Sequence, residues 1–235
     1  MSVYILTDDL IFPPPELAEK DGLLAIGGDL RPERLLLAYS MGIFPWFDED
    51  SPIMWWSLDP RMVLFPDKLK VSASLRQTLR SGRFQVTFDE AFDQVITACA
   101  EVNRQHQDGT WINSQMIKAY QALHRAGCAH SVEVWRENQL AGGLYGVSLG
   151  RIFFGESMFF RESNASKVAL WHLTERLKEW GFQLIDAQQQ TQHLRSLGAE
   201  TVSGEAFKKL LRRALQSATI RGSWSLKSKK SVYKN

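Results

Sequence analysis

The sequence predicts an α+β fold: a small, turn-rich N-terminal part followed by a larger part in which helices flank a run of strands. Apolar residues recur at helical spacing in Met116, Tyr120 and Leu123, and again in Leu170, Leu173, Leu177 and Trp180. Between these two segments, residues 131–160 hold three stretches rich in β-branched and aromatic residues, separated by short turns, the pattern of a meander. Glycine and proline punctuation is dense before residue 62 and sparse after it. At 235 residues the chain can bury a core without a metal or a disulfide.

The first part carries Pro13-Pro14-Pro15, Gly22 and Gly27-Gly28, then a helical run from Pro32 to Tyr39 that stops near Gly42. It reads as too turn-rich for a regular sheet. The boundary is placed at Met62, giving a domain of residues 1–62 and a second of 63–235 that ends in a basic tail. In the second, a helix over 113–126 is closed by Gly127, whose lack of a Cβ permits the left-handed cap. The strands SVEVW (131–135), LAGGLYGVS (140–148) and RIFFGESMFF (151–160) follow, joined by RENQ and by a tight turn at Leu149-Gly150. Ser163 or Asn164 then supplies an N-cap for a helix that ends at Gly181, and the strand FQLID and a further helix complete the chain.

This order is compatible with the GNAT acyltransferase fold and its mixed sheet. In that fold a glycine-containing turn at a helix start wraps the pyrophosphate of coenzyme A with backbone amides. Here the corresponding segment, RESNASK (161–167), has no glycine, which argues against an acyl-CoA donor.

Composition narrows the classes further. Cys99 and Cys128 lack metal-ligand spacing with the five histidines, so neither a metal nor a structural disulfide is expected, and no cofactor is called for. There is no basic, apolar leader and no run long enough to span a bilayer, so a reduced, cytoplasmic protein without a membrane partner is expected. The net charge of +2 conceals an asymmetry: residues 206–235 hold nine of the 28 Lys and Arg and none of the 26 acids. That end reads as a solvated terminus or, alternatively, as a contact for RNA phosphates. The acidic remainder should attract a cationic substrate and repel nucleic acid laid over a wide surface.

Chemistry concentrates at LIDAQQQT (184–191), a buried strand that turns polar at its tip. Side chains at i and i+2 of a strand share a face, so Asp186 and Gln188 are expected to point the same way about 7 Å apart. Either they hold one substrate, or Asp186 caps a helix starting near Gln190. Glu156 interrupts an apolar strand, and a buried carboxylate needs a partner; an arginine of the fold and a cationic ligand are equally suitable. Leu144, Phe153, Met158, Leu170 and Ile185 read first as core, though a pocket for a large apolar side chain would use the same residues. Trp46, Trp55, Trp56 and Trp111 sit in loops or at element ends, where they either stack on a base or plug an interface.

DGLLAIGGDL (21–30), LLLAYSMGIFPWF (35–47), MWWSLDPR (54–61), GTWI (109–112), HSVEVW (130–135), GGLYGV (142–147), FFGESMF (153–159), NASKVAL (164–170) and LIDAQ (184–188), in this order, resemble the leucyl/phenylalanyl-tRNA-protein transferase family. The resemblance runs from about residue 12 to about 207. It implies an enzyme that moves Leu or Phe, and more weakly Met, from aminoacyl-tRNA to the α-amine of proteins beginning with Arg or Lys, marking them for N-end-rule degradation. It also implies a small N-terminal domain before a GNAT-like one, with no membrane or DNA partner. Matched by motif, Trp46 and Trp111 belong to the terminal-adenosine site. Leu144, Phe153, Met158, Leu170 and Ile185 belong to the aminoacyl pocket, with Tyr120 among the substrate-binding residues. Glu156, Asp186 and Gln188 form the polar, catalytic centre. Leu144 stands where methionine is common, and nothing in the resemblance accounts for the end after Arg221.

On this basis Gln188 is expected to accept a hydrogen bond from the attacking amine, polarised or oriented by Asp186, while Glu156 holds the basic N-terminal residue. The ester is already activated, so neither ATP nor a metal is required. An acyl-CoA N-acyltransferase and a non-catalytic RNA-binding module are the competing classes.

Overall fold

The computed structural model describes residues 3–101 and 112–225. The N-terminal part forms a four-stranded sheet of short strands, β1 (Tyr4–Leu6), β2 (Leu23–Gly27), β3 (Phe44–Pro45) and β4 (Met54–Trp56), in the order β1-β2-β4-β3. The turn-rich segment thus does build a sheet, contrary to expectation. Strands of two to five residues leave room for the punctuation, and Trp55 locks them by burying its ring and donating its indole N–H to the Gly27 carbonyl at 2.9 Å. The helix α1 (Pro32–Ser40) starts at a proline, whose missing N–H costs nothing there.

The chain leaves this sheet at Trp56 and enters a seven-stranded sheet with β5 (Arg61–Leu64). The other elements are α2 (Ala73–Arg80), β6 (Gln85–Phe88), α3 (Phe92–Glu101), α4 (Ser114–Arg125), β7 (Ala129–Arg136), β8 (Gln139–Leu149), β9 (Ile152–Phe160), α5 (Ala165–Glu179), β10 (Leu184–Gln188), α6 (Gln192–Ser196), β11 (Glu200–Val202) and α7 (Gly204–Leu215). The order β11-β5-β10-β9-β8-β7-β6 is mixed, since β9 and β10 run parallel and the remaining neighbours antiparallel. The fold is therefore α+β, as the sequence predicts. The β7–β8 hairpin turns on Glu137 and Asn138, both with positive φ, the geometry that suits a two-residue turn to the twist of its strands.

Strand alternation distributes the core. Val63, Tyr145, Phe154 and Leu184 face a cluster that includes Tyr39 of α1, Val95 of α3 and Tyr120 of α4; their neighbours Leu64, Leu144, Phe153 and Ile185 face Leu170 and Leu173 of α5. The first cluster also takes in Leu24, Phe44 and Trp55, so the small sheet and one face of the large one share a core. Gly127 and Gly181 close α4 and α5 in the left-handed conformation, as expected. Asn164 does stand before α5, but with φ of 68° and no capping bond; its amide is spent on the Thr78 hydroxyl at 3.1 Å.

Candidate active site

The site lies where β9 and β10 part. Their parallel pairing runs through Leu184–Ile152, Ile185–Phe153 and Asp186–Phe154 and then stops. Beyond it each strand shifts register against its other neighbour: β9 carries the extra residue Glu156 opposite Tyr145 and Gly146, and β10 carries Ala187 opposite the Met62–Val63 step. Such irregularities re-aim side chains and end pairing. Glu156 and Gln188 accordingly converge on the gap between the strands rather than lying flat on one sheet face.

A cleft of about 460 Å³ opens from this gap. The cross-strand pairs Leu144–Met158 and Phe153–Ile185 form part of its wall, Leu170 of α5 covers them, and Trp46 stands at another side. All five residues expected in an apolar pocket thus come together. Trp46 meets Trp56 edge-on at 5.5 Å and accepts the Trp56 indole N–H on its carbonyl at 2.6 Å. Trp55 is the plug of the alternative reading, and Trp111 lies outside the described residues.

Glu156 lines the cleft, and its partners are neither of those expected. The Tyr39 hydroxyl lies 2.7 Å from its Oε1 and the Tyr120 hydroxyl 2.8 Å from its Oε2, and the two phenols also meet each other; with one proton apiece they fill two of these three contacts at a time. Tyr120, counted with the substrate-binding residues, is completely buried and acts on the site through this carboxylate. Burial pushes the Glu156 carboxyl up to about 7, against the lowering by the tyrosine hydrogen bonds. Burial and the neighbouring Glu156 charge hold both phenols well above their ordinary pKa, so they remain donors.

Asp186 does not face the cleft. It is completely buried, and Arg61 of β5 grips it in a two-pronged ion pair, Nε to Oδ1 at 2.9 Å and Nη2 to Oδ2 at 2.7 Å. The Arg61 guanidinium lies over the rings of Phe44 and Phe207, at 4.8 and 4.7 Å. The carboxylate also accepts the backbone N–H of Gln188 at 3.0 Å. It therefore fixes the Gln188 backbone, and does not polarise its amide. Nor does Asp186 cap the next helix; Thr191 does, accepting from the Leu194 N–H.

Held in this way, Gln188 takes φ of 52°, a left-handed conformation rare for a residue with a side chain, and is 7% exposed. Its amide hydrogens are both satisfied when the nitrogen faces the Ala187 carbonyl at 3.1 Å and the Gly155 carbonyl at 3.0 Å. The amide oxygen then takes the position 3.5 Å from Glu156 Oε1. Two acceptor oxygens confront each other at the end of an apolar cleft, and a proton on Glu156 or a donor from a ligand completes the pair.

Arg61 and Tyr39 were not singled out by sequence reasoning, although both sit in quoted motifs. A completely buried Asp on a central strand requires a cation, and that requirement was the available signal. Among the described residues no group of three or more His, Cys, Asp and Glu side chains is placed to hold a metal, and no helix is long and apolar enough to cross a membrane. Cys99 and Cys128 are both buried.

The family model for leucyl/phenylalanyl-tRNA protein transferase matches residues 63–212, and the model for the N-terminal domain of that family matches residues 28–59. The chain is 58% identical over 224 residues to a leucyl/phenylalanyl-tRNA–protein transferase of Syntrophobacter fumaroxidans, covering 95% of this chain and 96% of that one. It is 57% identical over 228 residues to the protein of the same name from Desulfatibacillum aliphaticivorans, covering 97% and 98%. Among solved structures, an aminoglycoside acetyltransferase from an uncultured soil metagenomic sample overlaps 49% of this chain and 83% of its own at 14% identity, with a TM-score of 0.37. With both family models matched in order along the chain, and relatives of this identity over nearly its whole length, the protein belongs to the leucyl/phenylalanyl-tRNA protein transferase family and is an aminoacyltransferase.

Proposed function

We propose that the protein transfers Leu or Phe from the 3′ end of aminoacyl-tRNA to the α-amino group of a protein beginning with Arg or Lys, feeding N-end-rule degradation. The observation that carries this reading is the pair of facing acceptors, Glu156 Oε1 and the Gln188 amide oxygen, at the end of a cleft walled by Leu144, Phe153, Met158, Leu170 and Ile185. An aminoacyl side chain fits the apolar wall, and an amine supplies a donor between the two oxygens. Asp48, Glu49 and Asp50 follow Trp46 in the exposed loop at that side, where they favour a cationic acceptor.

In this mechanism the amine nitrogen attacks the ester carbonyl carbon, the bond to the ribose oxygen breaks, and that oxygen leaves with the amine's proton, passed directly or through the adjacent hydroxyl. An α-amine has a reference pKa of about 7.7 to 8.0, so a strong base is unnecessary. Glu156 and Gln188 orient the amine; Asp186 and Arg61 are positioning residues that hold Gln188. The grip on tRNA is mainly at its aminoacylated end, with a shallow dependence on salt.

The direct test is transfer of radiolabelled phenylalanine from Phe-tRNA to a peptide beginning with Arg, beside the same peptide beginning with Ala. Label is expected on the Arg peptide alone; label on both, or on neither with folded protein, would reject the acceptor assignment or the reaction.

The pH dependence provides a second test. Below about pH 7 Glu156 carries a proton and bonds the Gln188 oxygen itself; above it, the Glu156 carboxylate and the neutral Gln188 amide oxygen together accept an amine. The kcat/KM for acceptor should therefore climb through about 7 in addition to the rise from amine deprotonation, and Glu156→Gln should remove the first limb. Stability moves in the opposite sense. The folded pKa lies above the unfolded value of about 4.3, so the group's contribution is full below that value and is lost as the pH rises to about 7. The melting temperature of Glu156→Gln, relative to wild type, should be higher at pH 8 than at pH 5.

A further inference from the structure

The segment after α7 runs back along the large sheet as a strap. Arg151 Nη1 donates to the Ala218 carbonyl at 2.6 Å, Gly150 N–H to the Thr219 hydroxyl at 2.8 Å, and Gly222 N–H to the Gly127 carbonyl at 3.2 Å. The strap passes so close that a Cβ on Gly127 would meet the Gly222 nitrogen at 2.3 Å. Trp224 then donates its backbone N–H to Asp89 at 2.6 Å and gives its carbonyl to Arg176 at 2.5 Å. The chain is docked through Ser225, which corrects the expectation of a solvated terminus for residues 206–225; residues 226–235, with four of the lysines, lie outside the described residues.

The strap buries one large ring. Trp224 is 3% exposed, stacked on His130 at 3.8 Å and 8°, and edge-on to Trp180 at 5.0 Å. It also packs at 5.9 Å against Phe153, whose ring lines the cleft. On another side the Phe153 ring lies against bare backbone, since a Cβ on Gly146 would meet its Cε1 at 2.5 Å. Phe153 is thus held between Gly146 and Trp224.

We propose that Trp224 is a specificity-determining positioning residue: through Phe153 the strap sets the depth of the aminoacyl pocket and so the preference between Leu and Phe. This rests on the reading of the cleft as the aminoacyl site. Interiors are close-packed, so a wall ring backed by another ring cannot retreat, whereas one backed by a void can. Removing the Trp224 ring deepens the pocket and favours the larger donor.

The experiment compares kcat/KM for Leu-tRNA and Phe-tRNA, with an Arg-initiated peptide, in wild type, Trp224→Leu and Trp224→Phe. Trp224→Leu should shift the ratio toward Phe by about tenfold, the scale of a change in apolar pocket fit, through KM rather than kcat; Trp224→Phe should restore most of the wild-type ratio. An unchanged ratio, or an equal loss for both donors in folded protein, would overturn the proposal. Should Trp224→Leu not fold, Arg176→Met loosens the strap at the Trp224 carbonyl and leaves the ring; it should move the ratio in the same direction by less, and no movement overturns the idea. Wild type inactive with both donors would instead sink the reading of the cleft. The Phe153 ring resonances in Trp224→Leu need no transfer, and a ring that does not move refutes the positioning role in that case as well.

Discussion

Replacing Arg61 with methionine is expected to destabilise the protein by about 3 to 5 kcal/mol, the cost of leaving a buried carboxylate without its partner. Asp186 has no solvent contact, and Arg61 is the ionic partner that holds both of its oxygens. Lysine should not rescue, because a single ammonium cannot reproduce the planar two-pronged grip or its seat between Phe44 and Phe207. Denaturant unfolding of Arg61→Met, Asp186→Leu and the double variant tests the assignment. The double variant should recover much of the loss, since an apolar pair leaves no uncompensated charge. A single variant within about 1 kcal/mol of wild type would mean that the pair is not a structural keystone. The same variants should lose transfer, because the carboxylate that anchors Gln188 is disturbed.

Shortening Gln188 to asparagine is expected to cut kcat by about 100-fold, the scale of one lost orienting contact, with little change in KM for the aminoacyl-tRNA. Asparagine tolerates the left-handed backbone that Gln188 adopts, so the strand tip should keep its shape. Its amide, one methylene shorter, cannot span the same distance to Glu156. Single-turnover transfer measured against thermal stability separates the two effects. Unimpaired turnover would remove Gln188 from the site and leave the left-handed conformation as a purely structural feature.

Much of the fold was legible because its signals are local. The helical stripe of Met116, Tyr120 and Leu123, the Gly127 and Gly181 stops and the β7–β8–β9 meander each depend on residues a few positions apart, and each appears where the pattern puts it. The residues matched by motif to an apolar pocket do line one cleft, but alternation alone would not have gathered them: Phe153 and Met158, five positions apart, reach the same side only through the extra residue Glu156. The short strands of the N-terminal sheet were missed because two to five residues carry no period, and the alternative that Asp186 caps the next helix stayed open because a strand-end Asp and a nearby Thr present the same local chemistry.

By itself the sequence determined that this is an α+β protein, that an apolar strand ends in Asp186 and Gln188, and that a carboxylate interrupts another strand at Glu156. Period, punctuation and burial cost are properties of neighbouring residues, and they survive without coordinates. The partners of those groups were decided only in three dimensions. Arg61 lies 125 positions from Asp186 in the chain and Tyr39 lies 117 from Glu156, and no local pattern carries a pairing across such a separation. The register shifts at Glu156 and Ala187, the end of the β9–β10 pairing and the return of Trp224 behind Phe153 are likewise products of how the strands and the strap pack. They turn two acceptor oxygens toward each other and make a strand tip into a site.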